Sequence, residues 1–360
     1  MPGHRARPGI TTAVHRTRCR PRHKTAPGRR RIARRSVGGC RVNALPVSPG
    51  SSPPHVLVEP LFAGAGPYWE ALAVALGGAE GPPSLTELEH FLRSARLREV
   101  RAEPVWRTTL GGDRVGAVVA LEAPGSSALL AIGPGAAAHP DALRALVGSA
   151  CDDLRGRGVR LVQTLLAEDD LAGQRVLHEA GHTFLTQLLY LERPARMPPP
   201  LRRARANLQW RPYAPELRAV LVRLLDATYV DSQDCRALAG IRSTDDVLTG
   251  HAHAADSGTA HWWLAVYGGE PVGALLLGRH GRGDVVEVVY MGVAAGARRR
   301  GTAHAMMLHA VHEARAMGAR CISLAVDRAN GPARRLYADW GFEPVGRRDA
   351  WIAVLGATGS

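Results

Sequence analysis

Apolar residues recur along the chain in two periods. Gly301–Met317 places Ala303, Met306, Met307, Ala310, Val311, Ala314 and Met317 on one face at helical spacing, and Gly318 follows as a stop. Leu217, Val220, Leu221, Leu224 and Leu225 mark a second amphipathic helix, preceded by a short strand near Leu208–Tyr213. Ser243-Thr-Asp-Asp246 is a capping-box variant opening a further short helix. Compact apolar runs bounded by turn residues read as strands: Trp262–Tyr267, Val272–Gly278, Asp284–Val293 and Cys321–Val326. Gly331–Trp340 reads as a helix, and a terminal hairpin is expected through Trp351–Leu355. The alternation predicts an α+β fold, a mixed twisted sheet with helices on both faces.

The pattern occurs twice. Trp106-Arg-Thr-Thr-Leu-Gly-Gly-Asp-Arg-Val-Gly-Ala117 aligns with Trp263-Leu-Ala-Val-Tyr-Gly-Gly-Glu-Pro-Val-Gly-Ala274, each a strand, a Gly-Gly-acid turn and a strand. Further on, Gly158-Val-Arg160 matches Gly318-Ala-Arg320 and Gly181 matches Gly341, at an offset of 160. So long a period means duplicated domains rather than a solenoid. The Pro-rich stretch Pro194–Pro200 separates the copies. The expected organisation is a tail over 1–54, a first domain over 55–193, a linker over 194–206 and a second domain over 207–356.

Chemistry concentrates in the second copy. Arg298-Arg-Arg-Gly301-Thr-Ala303 joins a strand to a long helix. Small residues there let an anion approach the free N–H groups of the helix start. No GxxxxGK[ST] loop is present. A second signature follows, Asn330-Gly-Pro-Ala333-Arg-Arg-Leu336-Tyr337-Ala-Asp-Trp-Gly341-Phe342. With Arg298-x-x-Gly301-x-Ala303 in the form [QR]-x-x-G-x-[GA], the stretch over about 205–355 resembles the GNAT family of acyl-CoA-dependent N-acetyltransferases.

The resemblance implies acetyl-CoA as co-substrate and a primary amine as acceptor. It assigns Arg298 and the main chain of Arg299, Arg300, Gly301, Thr302 and Ala303 to the cofactor pyrophosphate. Edge groups of Met291 and Val293 are expected to hold the pantetheine arm, Asn330 to orient the cofactor, and Arg334 to reach its 3′-phosphate or simply cover the helix. Tyr337 matches the family tyrosine that protonates the departing thiolate. Glu287, eleven residues before Arg298, has the spacing of a family general base. Such a base is needed because a free alkylamine, with a pKa near ~10.4, is mostly protonated at neutral pH. Asp231, Asp234 and Cys235 fall in the connection where acceptors enter. On residue type alone, Glu287 is equally a solvent-facing strand residue, Tyr337 a packing tyrosine and Arg298–Arg300 a solvated charge run.

The first copy is an internal control. At the 160 offset Arg298, Gly301 and Ala303 become Ala138, Asp141 and Leu143, while Glu287 becomes Ser127, Asn330 becomes Asp170 and Tyr337 becomes Leu177. The framework stays apolar, with Cys151 for Val311 and Val162 for Ile322. The first domain is expected to be a degenerate shell that shapes the acceptor pocket or supports its neighbour.

Charge changes the picture less than its size suggests. The chain has 46 basic and 32 acidic residues, a net of +14. Residues 1–58 hold thirteen of the basic residues and no acid, leaving 33 against 32 elsewhere. The excess is one Arg-rich tail, for which plain disorder, nucleic-acid contact and targeting are the open readings. Near-neutrality beyond it argues against nucleic acid as the main partner. The longest apolar runs are too short to span a bilayer. Five scattered cysteines form no CxxC, which fits a reducing cytoplasm. His251-Ala-His253 lacks a third ligand, so no metal is expected. A monomer or a homodimer is expected, two fused copies being able to stand in for a dimer. The competing functional reading is a non-catalytic CoA-binding or scaffold protein.

Overall fold

The computed structural model describes residues 55–64, 66–78, 81–200, 207–238, 240–280 and 284–356. The basic tail and residues 201–206 of the expected linker lie outside the described residues. The first half runs β1 (Val56–Leu61), α1 (Gly66–Ala75), α2 (Leu85–Leu97), β2 (Val105–Leu110), β3 (Asp113–Ala123), β4 (Ser127–Ile132), α3 (Pro140–Gly156), β5 (Leu161–Leu166), α4 (Leu171–Glu179) and β6 (Thr183–Pro194). The second half repeats that order: β7 (Gln209–Pro212), α5 (Arg218–Tyr229), α6 (Thr244–Ala252), β8 (His261–Tyr267), β9 (Glu270–His280), β10 (Val285–Val293), α7 (Thr302–Ala316), β11 (Cys321–Asp327), α8 (Gly331–Asp339) and β12 (Glu343–Val354).

Helices cover both faces of the sheet. On one face α1 and α2 bury Tyr68, Leu72, Leu88 and Phe91, and α5 and α6 bury Leu221, Leu225 and Leu248. On the other face α3 buries Leu146, Val147, Ala150 and Leu154, and α7 buries their repeat equivalents Met306, Met307, Ala310 and Ala314. Burying such side chains is worth about 1.5–3 kcal/mol for each large one. Packing therefore fixes the helix faces that the periodicity predicts.

The sheet does not respect the division into halves. All twelve strands form one sheet in the order β1-β2-β3-β4-β5-β12-β6-β11-β10-β9-β8-β7. Each half gives its last strand to the other. β6 pairs with β11, Cys321 opposite Pro194 through Asp327 opposite Leu188. β12 pairs with β5, Asp349 opposite Leu166 through Val354 opposite Leu161. β6 and β12 then pair with each other in the centre. The expected terminal hairpin is corrected: β12 is one twelve-residue strand whose partners both lie in the first half. Pro194 closes β6 rather than opening a linker. The next residues stay docked on the second half, with Ala195 N–H donating to the Arg320 carbonyl at 3.0 Å and Arg315 Nε to the Ala195 carbonyl at 2.8 Å.

One further feature of the sheet positions the site. Parallel strands β10 and β11 pair only over Val285–Glu287. Beyond Glu287, β10 stays with β9 and β11 stays with β6, so the two part. A bulge between Val288 and Tyr290 bends β10 at the start of that gap.

Candidate active site

The strand-to-helix junction after β10 leaves a helix start without a side-chain cap. Gly301 is the N-cap of α7 in a left-handed conformation (φ 85°), and no side chain caps the helix. Arg299 also takes a positive φ, 63°, unusual for a residue with a Cβ. Alternating backbone signs turn consecutive N–H groups into one concavity, which the helix dipole reinforces. Arg299 and Arg300 are exposed and form no ion pair among the described residues. Ala303 follows in the first turn of the helix.

The triplet divides its labour. Arg298 turns inward: its Nε donates to the Val293 carbonyl at 3.0 Å and its Nη2 to the Thr228 carbonyl at 2.8 Å. It ties the loop to the ends of β10 and α5 and is not a free cation. Thr302 is buried, and its hydroxyl donates to the Ala297 carbonyl at 3.0 Å. Met291 and Val293 lie on β10 where it has left β11, and their cross-strand partners are Leu275 and Gly273 of β9. The β11-facing edge of that stretch has no strand partner among the described residues.

A second cluster forms where β11 ends. Asn330 caps α8, its Oδ1 accepting from Ala333 N–H at 3.2 Å, and it also hydrogen-bonds the Asp234 carboxyl. Asp327 accepts from Cys235 N–H at 3.0 Å, Ala329 N–H at 2.7 Å and the Thr186 hydroxyl at 2.6 Å. Asp234, Cys235 and Asp327 hold their ligand-type atoms within 4.8 Å of one another, and these hydrogen bonds account for the grouping. The Asp234 carboxyl is pushed up by crowding among protein atoms and by Asp327, against the hydrogen bonds it accepts. Tyr337 is buried on α8 with its ring edge-on to Phe342, and desolvation followed by the charge of Asp234 raises its pKa. The phenol thus keeps its proton. Asp231 is exposed in the same connection (φ 54°) and is not drawn into the cluster. Arg334 stays on the surface and donates to the Arg328 carbonyl at 3.1 Å.

Glu287 approaches the gap from the other face. Val286 and Val288 point into the α7 core, so Glu287 lies on the α5 and α6 side. Its Oε2 is 2.6 Å from His280 Nε2. Ser323 of β11 stands beside it, and Glu192 of β6 stands beside Ser323. Arg98 just past α2, Tyr190 of β6 and His251 of α6 lie within reach of its charge. The first half thus walls the site: Thr186, Tyr190 and Glu192 come from β6 and Arg98 from the end of α2. Arg98 Nη1 bonds the Ala254 carbonyl at 3.1 Å, and Ser94 bonds Asp256 at 2.9 Å. Sequence reasoning missed these residues because only strand exchange and domain docking bring them in. His280 carried a signal, lying seven residues before Glu287 at the end of the preceding strand.

The equivalent junction of the first copy is built differently. Asp141 sits inside the first turn of α3, behind Pro140, which has no N–H to offer, and pairs with Arg144 at 2.7 Å. Asp170, in contrast, keeps the work of Asn330 by capping α4 through Gly173 N–H at 2.9 Å. Capping is therefore common to both copies.

Residues 225–342 match the acetyltransferase (GNAT) family model. The fold is shared with a GCN5-related N-acetyltransferase from Sphaerobacter thermophilus, at 17% identity and a TM-score of 0.56, covering 83% of this chain and 96% of that one. It is also shared with the glucosamine N-acetyltransferase region of a fungal multi-domain β-N-acetylglucosaminidase, at 12% identity and a TM-score of 0.57, covering 84% of this chain and 38% of that one. A tandem GNAT protein from the clavulanic acid biosynthesis pathway aligns at 17% identity and a TM-score of 0.48, over 85% of this chain and all of that one. No curated protein matches by sequence. No helix among the described residues is long and apolar enough to cross a membrane.

Proposed function

We propose, from the premise that the second half of this chain belongs to the GNAT acetyltransferase family, that it moves an acetyl group from acetyl-CoA to a primary amine. The observation that carries the reading is the junction at Gly301, a left-handed, uncapped helix start with two arginines that form no ion pair among the described residues, opening beside a β10 edge that has no strand partner among them. A pyrophosphate fits N–H groups so arranged, and an extended amide chain fits a strand edge. Residues Arg299–Ala303 hold the phosphates, and Met291 and Val293 hold the pantetheine arm. Arg298 keeps the loop in shape. The thioester supplies the activated acetyl group: a C–N bond forms as the C–S bond breaks.

The chain contributes a base and an acid. Glu287, at the mouth of the gap, takes the proton from the ammonium or from the attacking nitrogen. Tyr337, held protonated by burial, donates to the thiolate as it leaves. Asp234, next to Tyr337 in charge and accessible from solvent, draws a cationic amine toward that end. Cys235 supports the turn through its main chain, and Asn330 holds Asp234 in place. The first half takes no chemical part and serves as a wall. Cysteines that are scattered and form no CxxC support a reducing, cytoplasmic setting.

The test is thiol release from acetyl-CoA with a panel of amines, amino sugars, peptides and polyamines. Tyr337→Phe and Glu287→Gln are each expected to lower kcat by about 10²–10⁴-fold, with KM for acetyl-CoA unchanged. Binding of acetyl-CoA without turnover of any amine would instead favour a scaffold protein.

A further inference from the structure

Glu287 is held as well as placed. In the β9–β10 ladder Val285 faces His280 and Glu287 faces Gly278, so His280 and Glu287 are diagonal neighbours on one face. Gly278 offers no side chain, and a Cβ there would meet the Ala255 Cβ at 2.4 Å. The imidazole is therefore the group that β9 presents to the carboxylate, at 2.6 Å, and both side chains are mostly shielded, 20% and 15% exposed. A hydrogen bond to a carboxylate is stronger than a neutral one and fixes direction as well as distance. Of the groups that feel the Glu287 charge from other elements, Arg98 at the end of α2 is cationic, while burial keeps the Tyr190 phenol of β6 and the His251 imidazole of α6 neutral.

We infer that His280 is a positioning residue for Glu287: its Nε2–H donates to Oε2 and fixes the orientation of the carboxylate beside the point where β10 and β11 part. This rests on the reading of Glu287 as the general base. A loosely held base loses rate steeply, because misplacement by about 1 Å costs up to ~100-fold. The role differs from packing, since its effect must disappear when Glu287 no longer acts as a base.

The experiment is a double-mutant cycle in the full chain, with His280→Phe and His280→Gln each made alone and with Glu287→Gln. Thiol release is read against acetyl-CoA and whichever panel amine is turned over. His280→Phe is expected to lower kcat at least ~10-fold with KM for acetyl-CoA unchanged. His280→Gln, which retains an N–H donor, should stay within about 3-fold of the parent. In the Glu287→Gln background His280→Phe should cost nothing further. Equal losses in both backgrounds, or full activity of His280→Phe in an enzyme that needs Glu287, overturn the role. Full activity of Glu287→Gln overturns the base assignment and this inference together. A structure of the His280→Phe protein gives a readout free of turnover: a Glu287 carboxylate swung from its position supports the role, and one that has not moved overturns it.

Discussion

Leu188 and Arg348 stand opposite each other at the centre of the sheet, and each is the other's equivalent in the repeat. The pairing is symmetric on both sides of them, with Gln187 opposite Asp349 and Leu189 opposite Arg347. The two register shifts fall at equivalent places, skipping Leu185 on β6 and Val345 on β12. The duplicated halves are thus related by a local two-fold through this pair, as in an isologous dimer. Gln187 joins the halves further, donating to Asp349 at 2.9 Å and accepting from Arg328 at 3.0 Å.

The exchange makes each half incomplete alone. Residues 207–356 expressed by themselves would lack β6, which covers β11 along its whole length, and would leave β12 without either neighbour. We expect that fragment to be insoluble or largely unfolded by circular dichroism. A protease site placed within 201–206 of the full chain should behave differently. The cut halves are expected to elute together in size exclusion and separate only in denaturant. A folded, soluble fragment would show that the exchange is dispensable.

Local order was legible in the sequence and strand exchange was not. Period, caps and turn residues marked α7, α8 and the β8–β9 hairpin because these depend on neighbours a few residues away. The 160 offset carried through to both bounds of α8 and β12 against α4 and β6. Nothing local records which strand lies beside β12, and a long-range partner leaves the same alternating pattern as a hairpin partner. The site divided likewise. The places of Gly301 at the start of α7 and of Tyr337 on α8 were readable from their motifs, while Thr186, Tyr190 and Arg98 come beside them through strand exchange and contacts between the halves. Arg298 was readable as a charge but not as a side chain turned inward.

That inward turn separates three adjacent arginines. Arg298→Ala removes two hydrogen bonds from a charged donor to main-chain carbonyls, each worth about 1.5–3 kcal/mol. The melting temperature should fall by several degrees, and Arg298→Lys should not restore it, because an ammonium lacks the fork that reaches both carbonyls. Arg299→Ala and Arg300→Ala should leave the melting temperature nearly unchanged. Each should raise KM for acetyl-CoA several-fold, an effect that shrinks as salt rises. Thermal melts and KM at two ionic strengths check both halves of this contrast.

Gly301→Asp brings into the second copy the residue that occupies the equivalent position in the first. A side chain at φ 85° costs about 1–2 kcal/mol, and a carboxylate at an anion-binding turn repels the ligand. KM for acetyl-CoA should rise more than tenfold. Gly301→Ala carries the strain without the charge and should fall between the parent and the aspartate variant. Equal KM values for all three proteins would remove the phosphate from this turn.

His182 gives the last prediction, again through the repeat. It is the equivalent of Phe342 and is 1% exposed, and neither imidazole nitrogen has a hydrogen-bond partner among the described residues, the Ala180 backbone only offsetting part of the burial. Burial pushes its pKa from 6.5 down to about 4. Between those values the unfolded chain binds a proton that the folded chain resists, so stability falls as pH drops from about 6.5 toward 4. The full loss for a shift of this size is about 3 kcal/mol. His251 and His309, also held down to about 4, act in the same direction, so one substitution removes only one share. In the second copy Phe342 packs edge-on against Tyr337, where the first copy has the smaller Leu177, so phenylalanine is the apolar residue the repeat itself supplies at this position. His182→Phe should therefore raise the melting temperature at pH 7.5 and reduce the drop between pH 7.5 and pH 5. An unaltered drop would mean that His182 takes up its proton in the folded protein as readily as in the unfolded one.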